Sequence, residues 1–388
     1  MTTTKEATEL LQDLVSFDTT SYKSNLELIE YIKSYLTNCG IGSTLVHDDS
    51  GKKANLYATI GRDDVGGIML SGHTDVVPVS SQRWDTDPFC LTELGGNLYG
   101  RGSADMKGFI ALALSRVPKI LSLELDTPFH LAFSYDEEVG CIGVQRLLDL
   151  LENRAIKPRC CIVGEPTSME VVVGHKGKCS RRVHVHGHAC HSGQAPFGVN
   201  AVDYAAELIV FIRKLAKEKA NNGPFDYEYE VPYTSLHTGT VSGGTALNIV
   251  PNYCEFDYEI RHLYEEDPQK LLDKIESYAR DYLQVDMRSH YKDTGFDFKD
   301  IATYPGLSID PNSTFVNQVK QLLSNKTHRK VIFGTEGGLF NQRLGIPTLV
   351  CGPGSIDQAH KANEYISLEQ LQMGGHFLDK LIESQIEG

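Results

Sequence analysis

Apolar and polar positions alternate with two different periods along this chain. Residues 6–15, 25–39, 109–121 and 141–151 space their apolar side chains three and four apart, which predicts amphipathic helices. Residues 55–60, 67–70, 129–134 and 160–163 are short apolar runs bounded by turn residues and read as strands. This alternation predicts an α/β layout with a mostly parallel or mixed sheet, whose ligands sit in loops at the carboxyl ends of strands. The pattern changes at Cys179. From there come a strand over 180–186, a His/Gly/Ser turn, a helix over 200–219, strands over 233–241 and 254–261, a helix over 268–283 and a strand-like stretch over 286–291. That order is the split βαβ (ferredoxin-like) arrangement, a self-contained small domain. Residues 295–305 read as a return link, after which a helix (313–323), two strands (330–333, 348–351) and a helix (368–383) resume the first pattern. The expected organisation is a discontinuous domain of residues 1–178 and 296–388 interrupted by an insert of 179–295.

Composition narrows the classes. A chain of 388 residues exceeds the roughly 250–300 that one hydrophobic core supports, so two domains are expected. No apolar run reaches the ~18 residues of a membrane helix. A net charge of −14 argues against binding a phosphate backbone. The basic cluster Lys176, Lys178, Arg181 and Arg182 reads as a solvated strand edge and not as a nucleic-acid patch. Nine cysteines without a regular framework suit reduced thiols. Acidic residues stand near the N-terminus where a secretory signal would be basic and then apolar, so a cytoplasmic protein is expected.

The chemistry-bearing residues fall at the ends of predicted strands or in Gly-rich turns. His73 and Asp75, two apart after an apolar run, can offer an imidazole with a carboxylate close by. Asp105 lies among Gly100, Gly102 and Gly108; it is either a helix N-cap or a carboxylate presented inward by a tight backbone. Glu137 and Glu138 follow a strand, either as a charged turn or as two carboxylates projecting oppositely, one a metal ligand and one a proton acceptor. Glu165 is held extended by Pro166, and His360 sits among small residues with Asp357 and Glu364 near in sequence. Two histidines with three or four carboxylates in such settings form the donor set of a two-metal hydrolase. A glycosidase built on Glu137 and Glu138 is disfavoured, because adjacent strand residues do not face each other across the ~5 Å or more that paired catalytic carboxyls need.

These residues fall within Ser71-Gly-His-Thr-Asp75, Tyr99-Gly-Arg-Gly-Ser-Ala-Asp-Met-Lys-Gly108, Asp136-Glu-Glu-Val-Gly140, Gly164-Glu-Pro-Thr167 and Ala359-His360. On these motifs the chain resembles the M20 family of metallopeptidases and deacylases over nearly its whole length. The resemblance implies a zinc-hydrolase catalytic domain with an inserted lid and dimerisation domain. It also implies two Zn2+ per subunit, with Co2+ able to substitute. His73, Asp105 and Glu165 would hold one ion, and Asp105, Glu138 and His360 the other, Asp105 bridging. Glu137 would be the general base and Asp75 would orient His73. The Asp105–Met106 peptide would be cis.

The resemblance further implies a homodimer in which His191, in the turn Gly187-His-Ala-Cys-His-Ser-Gly193, reaches the partner's site; a turn histidine bonded to local backbone is the alternative. Asn248 and Arg261 match positions that contact the substrate or its carboxylate, a task suited to the planar fork of arginine. Gly334-Thr-Glu-Gly-Gly-Leu-Phe340 and the run 351–365 are most like the branch that deacetylates N2-acetyl-L-ornithine in arginine biosynthesis, which adds Thr335 and Glu336 as substrate contacts. A small-molecule N-acyl amino acid is therefore the expected substrate, with no nucleic-acid or membrane partner. The alternatives are another N-acyl amino acid, succinyl-diaminopimelate, a dipeptide, or a non-catalytic zinc-binding dimeric module.

Overall fold

The computed structural model describes residues 2–123 and 125–386. They divide into two compact units, the first holding the residues up to His175, Leu307–Lys330 and those from Thr335 onward, the second Lys176–Gly306 with Val331–Gly334.

The first unit is built on a mixed sheet whose strands lie in the order Ser43–His47, Ala54–Ile60, Phe129–Ser134, Ile68–His73, Cys160–Val163, Thr348–Val350, Val172–His175 and Leu307–Ser308. Phe129–Ser134, Ile68–His73, Cys160–Val163 and Thr348–Val350 run parallel. All four are buried along their whole length, as expected of parallel strands covered on both faces. One face carries Gly108–Ser115, a helix buried at every position because it is apolar all round. Close approach of that helix depends on glycine: a Cβ on Gly164 would lie 2.0 Å from the ring of Phe109. Ser43–His47 and Val172–His175 are strands that the sequence pattern did not mark. Their brevity and flanking polar residues hide the period.

In the second unit the antiparallel order is Ser235–Gly243, Tyr253–His262, Gly177–His186 and Gly295–Tyr304, with helices following the first and third strands in the chain. This is the βαββαβ order expected of the insert. The helix Ala201–Asn222 starts at Asn200, whose side chain accepts from Val202 N and Asp203 N at 3.0 and 3.4 Å. Two expectations are corrected here. Residues 286–291 are not a strand: helix continues from Gln269 through His290, with Ile275, Ala279, Leu283 and Met287 buried at four-residue spacing. Nor is 295–305 a link, since Gly295–Tyr304 is the fourth strand, paired to Gly177–His186. A bulge between Asp300 and Ala302 shifts its alternation by one residue, which disguises the period. The second unit accordingly runs beyond the 179–295 read from sequence.

The basic cluster is matched by acids on adjoining elements. Arg182 pairs with Asp257 at 2.7 Å, Lys178 with Glu259 at 3.4 Å and Arg181 with Asp300 at 2.5 Å. All nine cysteines are free. No helix among the described residues is long and apolar enough to cross a membrane.

Candidate metal centre

The parallel strands of the first unit deliver the centre. His73 is the last residue of Ile68–His73, Glu137 and Glu138 follow Phe129–Ser134 after two residues, and Glu165 comes two residues after Cys160–Val163. Asp105 comes from Ser103–Lys107, a short helical turn that it interrupts with φ −122° and ψ 90°, and its peptide bond to Met106 is cis. Lys107 anchors that turn by donating from Nζ to the carbonyls of Leu14 and Phe17 at 3.0 and 2.8 Å. His360 stands in a loop with φ 62°.

These side chains converge. His73 Nε2 lies 3.0 Å from Asp105 Oδ1 and 3.5 Å from Glu165 Oε1. His360 Nε2 lies 3.3 Å from the other oxygen of Asp105 and 2.9 Å from Glu138 Oε2. Asp105 thus turns one carboxylate oxygen toward each imidazole. Ligand atoms of His73, Glu137 and Glu165, and of His73, Asp105 and Glu138, each lie within 4.8 Å of one another.

Asp75 stands behind the centre. His73 Nδ1 donates to the Asp75 backbone carbonyl at 2.9 Å, with the Asp75 carboxylate at 3.6 Å, so Nε2 is left facing Asp105. The carboxylate itself accepts from Ser21 Oγ at 2.7 Å and from the backbone N–H groups of Glu137 and Glu138 at 3.0 and 3.3 Å. Asp75 therefore fixes His73 and the Glu137–Glu138 pair together, a second task that its position in the sequence does not reveal.

The electrostatics ask for positive charge. Burial, followed by repulsion from Asp105, pushes Glu165 well above the usual carboxylate range. Glu138 is raised to about 7 for the same two reasons. Burial raises Glu137 to about 8, with His73 opposing the shift and Glu138 adding to it. Asp105 goes the other way: burial opposes its charge, but hydrogen bonds from His360 and His73 hold it well below the usual range. Hydrogen bonds to Asp105 and Glu138 raise His360 to about 10. Four crowded carboxylates with two imidazoles, nearly all out of water, are a donor set that divalent cations stabilise, and N/O donors of this kind suit zinc. The residues fit the metals that the sequence pattern implies.

The remaining sequence candidates separate. Thr335 and Glu336 belong to the first unit and are buried. Thr335 Oγ1 accepts from Gly337 N at 3.0 Å at the start of the helix Gly337–Leu344. Glu336 Oε2 accepts from Ser71 Oγ at 3.3 Å while Oε1 has no protein partner, and burial raises this carboxyl to about 7. His191, Asn248 and Arg261 belong to the second unit. The His191 ring accepts from Gly193 N at 3.1 Å, the local bonding that was its alternative reading, and this leaves Nε2 as the protonated nitrogen. The backbone carbonyl of Asn248 accepts from Ser192 N at 2.9 Å. Arg261 donates to Tyr304 Oη at 3.0 Å and to Glu259 at 3.1 Å, beside a hollow of about 320 Å³ also lined by Lys176, Ser235 and Phe333.

Sequence reasoning missed two residues that touch this machinery and misplaced the contacts of a third. Ser21 holds Asp75, and Cys141 Sγ donates to Glu137 Oε1 at 3.3 Å. Glu364 was read as a neighbour of His360, whereas its carboxylate holds the loop that carries Asp105. Only Glu364 gave a signal, as an acid close to a candidate ligand.

Residues 69–384 match peptidase family M20/M25/M40. An acetylornithine deacetylase of Shigella sonnei (strain Ss046) is 36% identical over 349 residues, covering 89% of this chain and 87% of that one. One from Pasteurella multocida (strain Pm70) is 32% identical over 367 residues, covering 93% and 91%. Among solved structures, an M20 family metallo-carboxypeptidase from Sulfolobus solfataricus shares the fold with a TM-score of 0.78 at 19% identity, over 99% of this chain and 100% of that one.

Proposed function

The chain belongs to peptidase family M20/M25/M40, and on that premise we propose that it is a two-zinc amidohydrolase that removes the acetyl group from N2-acetyl-L-ornithine to give ornithine and acetate. The observation that carries the hydrolytic reading is Asp105 facing His73 and His360 at 3.0 and 3.3 Å, with Glu137 beside them. His73, Asp105 and Glu165 would hold one cation, and Asp105, Glu138 and His360 the other; cobalt has the same donor preferences. Bound there, two divalent cations supply the positive charge that polarises an amide carbonyl and acidifies water.

The chain's own residues do the rest. Glu137 Oε1 is engaged by the Cys141 thiol at 3.3 Å, so Oε2 is the oxygen free to take a proton from the attacking water. Glu137 lies beside the ligand set, where it can accept a proton and then return it. The same oxygen gives that proton to the nitrogen of the leaving ornithine. Asp75 keeps the Glu137 backbone in place through its bond to Glu137 N at 3.0 Å. His191, with Nε2 protonated, is a suitable donor to the carbonyl oxygen in the partner's site of a homodimer working in the cytoplasm.

Support for acetylornithine comes from the two relatives of that name and from the acids and bases available to the substrate's charges. Arg261 suits the α-carboxylate. The unpartnered Glu336 Oε1 is the acceptor offered to the distal ammonium, with Thr335 fixing the turn before it. Rates on N2-acetylornithine, N-acetylmethionine, succinyl-diaminopimelate and dipeptides test the assignment, and Glu336→Gln tests its basis. That variant should lose roughly 2 to 4 kcal/mol in kcat/KM on acetylornithine, about 30- to 700-fold, with a far smaller loss on N-acetylmethionine. Equal losses on both would remove Glu336 from substrate binding.

A further inference from the structure

Glu364 is buried with both carboxylate oxygens committed to one loop. Oε1 accepts from the backbone N–H groups of Ala104 and Asp105 at 2.9 and 3.0 Å. Oε2 accepts from Gly102 N at 3.0 Å and from Arg101 Nη1 at 2.6 Å. Four donors on a carboxylate out of water form a rigid clamp, because charge-assisted bonds are the strong ones and losing any of them leaves a buried group unpaired.

The clamp continues to the opposite ligand. Arg101 is also buried; its Nη2 donates to Gln82 Oε1 at 2.6 Å, and its guanidinium lies 5.1 Å from the centre of the Trp84 ring. Gln82 Nε2 then donates to the backbone carbonyl of His360 at 2.8 Å. His360 and Asn363 both have positive φ, 62° and 58°, a conformation that non-glycine residues hold only when neighbours enforce it. Asn363 is bound on both sides by Asp85, at 2.9 Å through the backbone and 2.8 Å through the side chain.

We propose that Glu364, acting through Arg101 and Gln82, is the positioning group that sets the Asp105 and His360 ligands in register, so that affinity for the cation on the His360 side is governed by residues outside its ligand set. The proposal rests on the reading that Asp105 and His360 hold a cation. It assigns Arg101 and Gln82 roles that neither the ligand motifs nor the general base requires.

Zinc competition titrations on Glu364→Gln, Gln82→Ala and a His360→Ala control test it, alongside the melting temperature of each metal-free protein. Wild type should bind two ions and His360→Ala one. Gln82→Ala should keep one ion at wild-type affinity and bind the other about 10- to 100-fold more weakly, the range for residues that orient metal ligands, whereas Glu364→Gln, which also loosens the shared Asp105, should weaken both. Gln82→Ala leaves the bonds of Glu364 intact and should melt as wild type does when metal-free, which separates positioning from folding if Glu364→Gln does not fold. Wild-type affinity for both ions in Gln82→Ala, with the second ion lost in His360→Ala, would overturn the relay alone. Two ions retained in His360→Ala would overturn the ligand assignment beneath it.

Discussion

His73 and His360 each direct Nε2 at Asp105, at 3.0 and 3.3 Å, yet the side chain of one is 1% exposed and that of the other 56%. His73 closes a strand buried from end to end, and its second nitrogen is tied to the Asp75 carbonyl. Packing of the sheet therefore fixes it, as the close-packed interior fixes any core side chain. His360 has no strand beneath it; its position comes from left-handed backbone and the Gln82 bond to its carbonyl. One half of the centre is made by the core and the other by a hydrogen-bonded loop. Shared between them, Asp105 belongs to both.

The strongest way to break this comparison is to remove what the halves share. Asp105→Ala should lose both ions and drop hydrolysis to the level of metal-free protein, read by elemental analysis and rate together; retention of either ion would show that Asp105 serves one side only. Next comes a change that should spare both halves. Glu137→Gln should keep two ions while kcat falls by about 10²- to 10⁴-fold, the contribution of a general acid–base group. Loss of an ion from that variant would make Glu137 a ligand.

The smallest expected effect comes from the opposite end of the same sheet. His130 lies at the start of the strand whose last residue, Ser134, pairs with His73. Its Nε2 accepts from Gly67 N at 3.1 Å and its Nδ1 faces Tyr57 Oη and Thr59 Oγ1 at 2.9 and 3.0 Å. Burial, with Arg154 adding to it, lowers this imidazole to about 4. The unfolded chain then takes up a proton below the ordinary histidine pKa of ~6.5 while the folded protein takes none until about 4, so acidification across that interval favours unfolding. His130→Gln, which keeps an acceptor for Gly67, should remove roughly 2 to 3 kcal/mol of the stability lost between neutral pH and pH ~4. Urea midpoints of metal-free wild type and variant across that range would check it; parallel curves would mean that His130 is not the titrating group.

The same contrast explains what the sequence could reveal. His73, Glu137 and Glu165 were legible because short apolar runs mark buried strands, and polar residues at their carboxyl ends stand out. The clamp was not legible, since Glu364 bonds to residues 259 to 263 positions away and no local period encodes such a contact. In the second unit, the stripe from Ile275 to Met287 was present in the sequence, and stopping the helix at 283 ignored its last turn. Gly295–Tyr304 was obscured for a physical reason: an edge strand rich in Asp and Lys, with a bulge in its middle, lacks a steady two-residue alternation.

The central claim is that one carboxylate joins a core-built and a loop-built ligand set. Anomalous diffraction from crystals grown with zinc tests it most directly. The account predicts two ions, one on each oxygen of Asp105, the first also held by His73 and Glu165 and the second by His360 and Glu138. A single ion, or a pair that leaves Asp105 unligated, would contradict it.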